Sequence, residues 1–145
     1  ADEVMARPDS PLARFDDASA ILHATLAERE PGSGLARLRL GAGDGDALWV
    51  GACTGAIGAT VRVRVLARDV SVALSRPVDS SILNILPATV EALHDEDAAS
   101  VMLRLRLGDG SALLARLTRR SVSALGLAPG LAVHAQIKGA ALLRA

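Results

Sequence analysis

Aromatic residues are nearly absent from this chain of 145 residues, which contains one Phe, one Trp and no Tyr. Small barrels that bind single-stranded nucleic acids usually stack bases on exposed aromatic rings, and this chain cannot supply such a platform. Its apolar residues are mostly Ala, Leu and Val, so the core has to be aliphatic. Small units with thin aliphatic cores usually gain stability by pairing, which favours an oligomer.

A dominant charge is also missing, because 16 basic and 16 acidic residues cancel to a net charge of zero. Proteins that bind nucleic acids or anionic membranes normally carry a long-range positive field, so we expect neither partner. Any anion site must therefore be local. No apolar run approaches the roughly 20 residues that cross a bilayer, so we expect no direct membrane insertion.

The chain has a single cysteine, Cys53, which cannot form an internal disulfide. Because no signal-like segment is present either, we expect a reducing, cytoplasmic setting. The three histidines stand far apart and lack the neighbouring ligands of a zinc site, so we expect no metal cation. No catalytic triad, carboxylate pair or phosphate loop is present, so this chain is not expected to be an enzyme.

The sequence contains two copies of one pattern. Ile21–Leu26 matches Ile85–Val90, and Arg37–Gly41 resembles Arg104–Gly108, in each case about 65 residues later. We interpret this as a tandem duplication, with a first unit at 18–79 and a second unit at 80–145. Residues 1–17 mix charges and prolines without a period, and we interpret them as a linker from an upstream domain.

Alternation of apolar and polar residues predicts strands in both copies. Leu38-Arg39-Leu40 and Val61–Val65 have a period of two, which places apolar side chains on one face. Clusters of Gly and Asp at 41–45 and 108–110 predict hairpin turns. The expected fold is all-β, with two tandem small barrels of the oligonucleotide-binding (OB) type whose edges are closed by a dimer or an exchanged strand. Trp49 is expected to fill the first barrel.

One short helix is predicted in the second unit. Thr118 is a good N-cap, Gly126 suits a left-handed C-terminal residue, and Val122 and Leu125 have the spacing to face the barrel. The first copy has a glycine-rich segment at the corresponding place and therefore lacks this helix.

Three segments supply hydrogen-bond donors and no acid: Ser80–Ala88, Thr118–Ser121 and Lys138. A tetrahedral dianion only accepts hydrogen bonds, so such a donor set favours an oxyanion ligand. Each segment taken alone also has a structural explanation, as a serine loop, a helix cap or a solvated lysine. The acidic run Asp95-Glu96-Asp97 is interpreted as a solvated hairpin loop, and not as a cation site.

The chain resembles the tandem molybdate-binding, or Mop (TOBE-like), domains at the C-terminus of molybdate importer ATPases. The resemblance covers nearly the whole chain. Its most specific parts, in the order of the family, are Val61–Leu74, Pro77 and Ser80–Pro87, then Leu125–Gly130 and Ile137-Lys138.

The resemblance implies a regulatory region that senses molybdate or tungstate, belongs to the ATP-binding subunit of a molybdate importer and modulates transport. It implies a homodimer that reaches membrane permease subunits through the full-length ATPase, with ATP bound only upstream. The location is then cytoplasmic, peripheral to the membrane. In the family the anion lies between two protomers, and the corresponding positions here are Ser81, Thr118, Ser121, Lys138 and, through its backbone, Gly139.

Two positions depart from the family pattern. Leu83 replaces an Arg that family members often carry two residues after the serine, so either the affinity is lower or Arg119 or Arg120 compensates. The segment Gly139-Ala140-Ala141 lacks a serine often found there, so backbone amides have to replace a hydroxyl.

Two other functions compete with the regulatory one. The first is a freestanding molybdate storage protein built from the same tandem unit, and the second is a nucleic-acid-binding barrel. The sequence does not distinguish molybdate, tungstate and sulfate, which are all tetrahedral dianions.

Overall fold

The computed structural model of the protein describes residues 18–41 and 46–143. The segment 1–17, which we interpreted as a linker, and most of the 41–45 turn lie outside this range. No helix within it is long and apolar enough to cross a membrane. The described elements are the strands β1 Ser19–Arg29, β2 Leu35–Leu40, β3 Ala47–Gly51, β4 Thr60–Leu66, β5 Val70–Ala73, β6 Asn84–Asp95, β7 Ser100–Leu107 and β8 Ala112–Thr118, the helix α1 Arg119–Leu125, and the strands β9 Ala132–Ile137 and β10 Ala141–Leu143.

The strands form where the sequence alternates. In β2 every second residue is buried, including Leu38 and Leu40. The arginines that alternate with the buried residues are partly exposed. In β4 the side chains of Val63 and Val65 are fully buried. One face of each sheet therefore packs inward, as the period of two predicts.

The strands build two antiparallel five-stranded sheets, in the orders β10-β4-β1-β2-β3 and β5-β9-β6-β7-β8. One edge strand of each sheet comes from the other unit. The strand β5 of the first unit pairs with β9, and β10 of the second unit pairs with β4. The sequence suggested that a dimer or an exchanged strand protects the sheet edges. Within the chain, one edge of each sheet is protected by an exchanged strand. The predicted all-β fold with a short helix in the second unit is confirmed.

The two units share one core. A single cluster of buried residues includes Leu22 and Leu38 from the first sheet and Leu86 and Leu105 from the second. A smaller cluster covers the outer face of the β7–β8 hairpin and consists of Ala18, Ala67, Met102 and Leu114. Both faces of this hairpin are thus buried, which fixes the first unit against the second.

The side chain of Trp49 does not fill the first barrel. It is partly exposed, whereas its neighbours in β3, Leu48 and Val50, are buried. Because neighbouring residues of a strand point to opposite faces, the indole lies on the outer face. This expectation was wrong, and among the described residues no aromatic side chain is buried in the first barrel.

The helix α1 begins and ends as predicted. Thr118 is the N-cap and its hydroxyl accepts a hydrogen bond from the Ser121 backbone N–H at 3.1 Å. Gly126 follows the helix in a left-handed conformation with φ of 64°. Val122 and Leu125 are partly buried against the core, so the predicted inward face of the helix is confirmed.

The turn between β6 and β7 is more ordered than the solvated loop that the sequence suggested. Glu96 pairs with Arg116 at 2.8 Å, and their side chains are only 9% and 14% exposed. The Asp97 carboxylate accepts hydrogen bonds from the backbone N–H groups of Ala99 and Ser100, both at 2.8 Å. These two hydrogen bonds lower the pKa of Asp97, and the one from Ala99 has the larger effect.

Replacing Gly126 with Ala should lower the free energy of unfolding by about 1 kcal/mol, because a Cβ is strained at this φ. Urea unfolding of the two proteins measures the difference. Ser123→Ala, at an exposed position inside the same helix, is the control and should change stability by less than about 0.5 kcal/mol. Equal stability of Gly126→Ala and the parent would contradict the left-handed cap.

Asp97→Asn should keep the turn, because an amide oxygen can accept the same two hydrogen bonds. It should remove the contribution of residue 97 to the pH dependence of stability, because an amide does not titrate. The folded-state pKa of Asp97 is lowered, so its extra stability is present above the ordinary value of 3.8 and is lost as pH falls through the lowered pKa. Urea unfolding at pH 6 and pH 3 tests this. The parent should be the more stable protein at pH 6, and the gap should shrink at pH 3; a constant gap would count against it.

Candidate oxyanion-binding site

Three of the five predicted site residues lie together at one end of the second sheet, which we call the lysine end: Ser81, Lys138 and Gly139. Asn84 at the start of β6 pairs with Ile137 at the end of β9, so Ser81 and Lys138 flank this pair. The side chains of Ser81 and Lys138 are exposed. Lys138 forms no hydrogen bond or ion pair through its ammonium with the described residues.

The other two residues, Thr118 and Ser121, lie at the N-terminus of α1, which we call the helix end. Thr118 is the last residue of β8 and pairs with Ser100 at the start of β7. The hydroxyls of Thr118 and Ser121 are 2.9 Å apart, and both residues are exposed. Because the Thr118 hydroxyl donates to the Ser121 oxygen, the Ser121 hydroxyl keeps its own proton for another acceptor.

The lysine end and the helix end lie at opposite ends of β6. Asn84 begins this strand beside the lysine end, and Asp95 ends it beside Arg119 of α1, with a 3.0 Å ion pair. A strand of 12 residues at about 3.3 Å per residue places its ends roughly 30 Å or more apart. One chain therefore does not bring the five predicted residues together.

Ser80 and Ser81 have different roles in the loop before β6. The hydroxyl of Ser80 accepts a hydrogen bond from the backbone N–H of Ile82 at 3.1 Å, and it follows Asp79, whose φ is 55°. Ser80 therefore stabilises a tight turn, as serines often do in loops. The Ser81 hydroxyl is exposed and makes no hydrogen bond with the described residues.

Arg119 and Arg120 differ in their capacity to replace the missing family arginine at Leu83. The Arg119 guanidinium pairs with Asp95 and donates to the carbonyl oxygens of Asp97 at 2.7 Å and Ala98 at 3.1 Å. Its hydrogen bonds are committed to the β6–β7 turn. Arg120 is exposed and makes no hydrogen bond through its side chain to the described residues, so Arg120 is the cation that remains.

The backbone of the helix end contributes less than the sequence suggested. The N–H of Arg119 donates to the Ala99 carbonyl at 2.8 Å, and the N–H of Ser121 donates to Thr118. Two of the first N–H groups of α1 are therefore already satisfied within the chain. Side-chain hydroxyls are the main donors at this end.

An acidic residue that the sequence pattern did not indicate lies at the lysine end. The Asp69 carboxylate lies against Gly139, so a Cβ built on this glycine would come within 3.1 Å of Oδ2. The backbone N–H of Lys138 also donates to the Asp69 carbonyl at 2.9 Å. The donor set is thus not free of acids. Only the pairing of β5 with β9 brings Asp69 here, and no local sequence signal indicates that pairing.

Among the described residues no group of three or more His, Cys, Asp or Glu side chains is arranged to hold a metal ion. A groove of about 810 Å³ lies elsewhere and is lined by His23, Cys53, Arg62 and Leu142 among others. It contains none of the five predicted site residues. The candidate site is therefore an exposed surface and not a cavity of one chain.

Comparison with known proteins agrees with the resemblance. The TOBE domain model matches residues 80–143. The chain is 50% identical over 141 residues to the molybdenum import ATP-binding protein ModC of Albidiferax ferrireducens, and 47% identical over 142 residues to that of Aromatoleum aromaticum. These alignments cover 97% and 98% of this chain and 37% of each relative. The chain thus spans a little over a third of the length of these relatives.

A solved structure shares the fold. The cytoplasmic molybdate-binding protein ModG, in a crystal form with molybdate bound, superimposes with a TM-score of 0.72 and 26% sequence identity over 84% of this chain and 93% of the other. The similarity in sequence and in fold extends through both units. The chain is therefore homologous to the C-terminal TOBE, or Mop, region of the ModC molybdenum import ATP-binding proteins.

Proposed function

We propose that this chain is the molybdate- and tungstate-sensing regulatory region of an ATP-driven molybdate importer, and that it binds the oxyanion between two protomers. The proposal rests on the homology to ModC proteins and on the fold shared with a protein that binds molybdate. Nucleotide hydrolysis belongs to a separate ATP-binding domain in this proposal. The protomers are cytoplasmic and reach the membrane permease subunits through that domain.

The observation that carries the proposal is the position of the donors at opposite ends of β6. Ser81, Lys138 and Gly139 form one half-site, and Thr118 and Ser121 form the other, roughly 30 Å or more away along the strand. A second copy can bring its helix end to the lysine end of the first. By two-fold symmetry the same contact then forms twice, which gives two equivalent sites per dimer.

The chemistry of the half-sites suits a small dianion. The Lys138 ammonium supplies charge, and the hydroxyls of Ser81 and Ser121 supply directed donors, which together satisfy oxygens that only accept. Asp69 close to Gly139 opposes this charge. Binding therefore requires that the anion be drawn to the ammonium and the hydroxyls, on the side away from that carboxylate. Arg120 adds a second cation from the helix end.

Exposed apolar side chains beside Ser81 support the pairing of two protomers. Between β5 and β6 the chain exposes Leu74 by 49%, Val78 by 81% and Leu83 by 58%. Large apolar side chains grouped in one loop usually mark a surface that a partner covers. Leu83 stands where the family often has an arginine, so at this position contact with a second copy replaces a charged donor.

A freestanding molybdate-binding protein is the second candidate. It is favoured by the similarity to ModG, which extends over 93% of that chain. The size of the native protein in cells distinguishes the candidates, because a transporter subunit carries an ATP-binding domain on the same chain. Immunodetection of a product near 15 kDa favours the freestanding protein, and a product well above 30 kDa favours the importer.

Calorimetric titration with molybdate should show saturable binding, whereas sulfate at the same concentrations should bind more weakly because it is smaller. Ser81→Ala and Lys138→Ala should each weaken molybdate binding by about 1 to 3 kcal/mol, the usual value of a hydrogen bond to a charged group. Ser123→Ala is the control, because Ser123 is exposed and is not one of the five predicted site residues. Unchanged affinity in both site variants would reject the assignment.

A mixture of two variants with weakened binding should recover full affinity at some of its sites if the site is shared. Ser121→Ala removes a donor from the helix end and Lys138→Ala removes the cation from the lysine end. After the two variants are unfolded and refolded together, random pairing should restore about a quarter of the sites to full affinity, because one of the two sites in each mixed dimer has both native halves. Each variant refolded alone is the control. No recovery in proven mixed dimers would place the site within one chain.

A further inference from the structure

The side chain of Asn84 joins the second unit to the first. Its Oδ1 accepts a hydrogen bond from the backbone N–H of Trp49 at 2.6 Å, and its Nδ2 donates to the carbonyl oxygen of Trp49 at 2.9 Å. Trp49 lies in the middle of β3, the outer strand of the first sheet. The amide of Asn84 thus occupies the place that the backbone of a neighbouring strand would take.

This contact is buried and specific. Asn84 is 8% exposed, and among the described residues only Asn84 and Ser19 are polar and buried. A buried amide without partners costs free energy, and here its oxygen and its nitrogen both bind a single residue. Two hydrogen bonds to one residue fix the distance and the orientation of the Asn84 side chain relative to β3.

Asn84 also adjoins the lysine end along both strands. It follows Ser81 by three residues, and in the sheet it pairs with Ile137, the residue before Lys138. The loop that carries Ser81 and the end of β9, which Lys138 follows, therefore meet at the residue that holds the first unit.

We propose that Asn84 is a positioning residue that transmits occupancy of the oxyanion site to the first unit through Trp49. This inference rests on the proposed function. An anion held by Ser81 and Lys138 orders the loop before β6 and the end of β9, and so it stabilises the position of the Asn84 amide. A stabilised amide holds β3 more firmly, so the β2–β3 hairpin opens less often when the anion is bound.

The proposal gives the first unit a role although it has lost the donor set of the second. Its β2–β3 hairpin becomes the element that responds to the anion, and the second unit becomes the element that binds it. Binding and response are then separable, because Asn84 does not belong to the five predicted donors.

Hydrogen exchange measured by mass spectrometry tests the coupling in the whole chain. Peptides from 35–51, which cover β2 and β3, should exchange at least about fivefold more slowly with saturating molybdate than with equal sulfate. Asn84→Leu, similar in volume but unable to form either hydrogen bond, should bind molybdate in the calorimeter with an affinity within about threefold of the parent and show no such slowing. Ser123→Ala, an exposed position in α1 outside this loop, is the control and should respond like the parent.

The outcomes separate the coupling from the binding. If the parent binds molybdate without slower exchange in 35–51, or if Asn84→Leu slows as much as the parent, the coupling is refuted and the proposed function stands. If the parent gives no heat with molybdate, the proposed function fails and the coupling fails with it. Should Asn84→Leu not fold, as judged by circular dichroism, Asn84→Asp decides. It keeps the acceptor for the Trp49 N–H and loses the donor, so reduced slowing supports the coupling and full slowing refutes it.

Discussion

The exchange of edge strands is the constraint on which the rest of this structure depends. Each sheet is completed by a strand from the other part of the chain, since β5 pairs with β9 and β10 pairs with β4. A small aliphatic unit buries little area and would leave edge strands open. The exchange protects one edge of each sheet and merges the buried residues of both units into one core. It also places the turn with Asp69 and the loop with Ser81 at the same end of the second sheet.

In the proposed site, electrostatics determine how the surface binds a dianion without a positive field. The net charge of the chain is zero, so attraction has to come from a few groups at short range. Lys138 is exposed and Asp69 lies next to Gly139, so one protomer alone presents a partly neutralised half-site to water. A partner that covers it lowers the local dielectric constant and adds hydroxyl donors. Binding and assembly therefore support each other in this account.

The sequence was a good guide wherever the information is local. The period of two in 38–40 and 61–65 predicted the strands, and Thr118 and Gly126 predicted both ends of α1, because caps and alternation depend on neighbouring residues. It failed where a contact joins distant segments. The contact of the Asp69 carboxylate with Gly139 and the hydrogen bonds of Asn84 with Trp49 depend on the pairing of distant segments. The ion pair of Glu96 with Arg116 likewise joins residues 20 positions apart. Trp49 was misplaced because its size, and not its register in β3, guided the prediction.

The central claim is that one oxyanion is held by the lysine end of one protomer and the helix end of another. Crystals grown with tungstate test it most directly, because the anomalous scattering of tungsten locates the anion without reference to the protein. The account predicts a tungsten peak between Ser81 and Lys138 of one protomer and Thr118 and Ser121 of the partner subunit. A peak whose protein ligands all come from one chain, or one remote from Lys138, would contradict it.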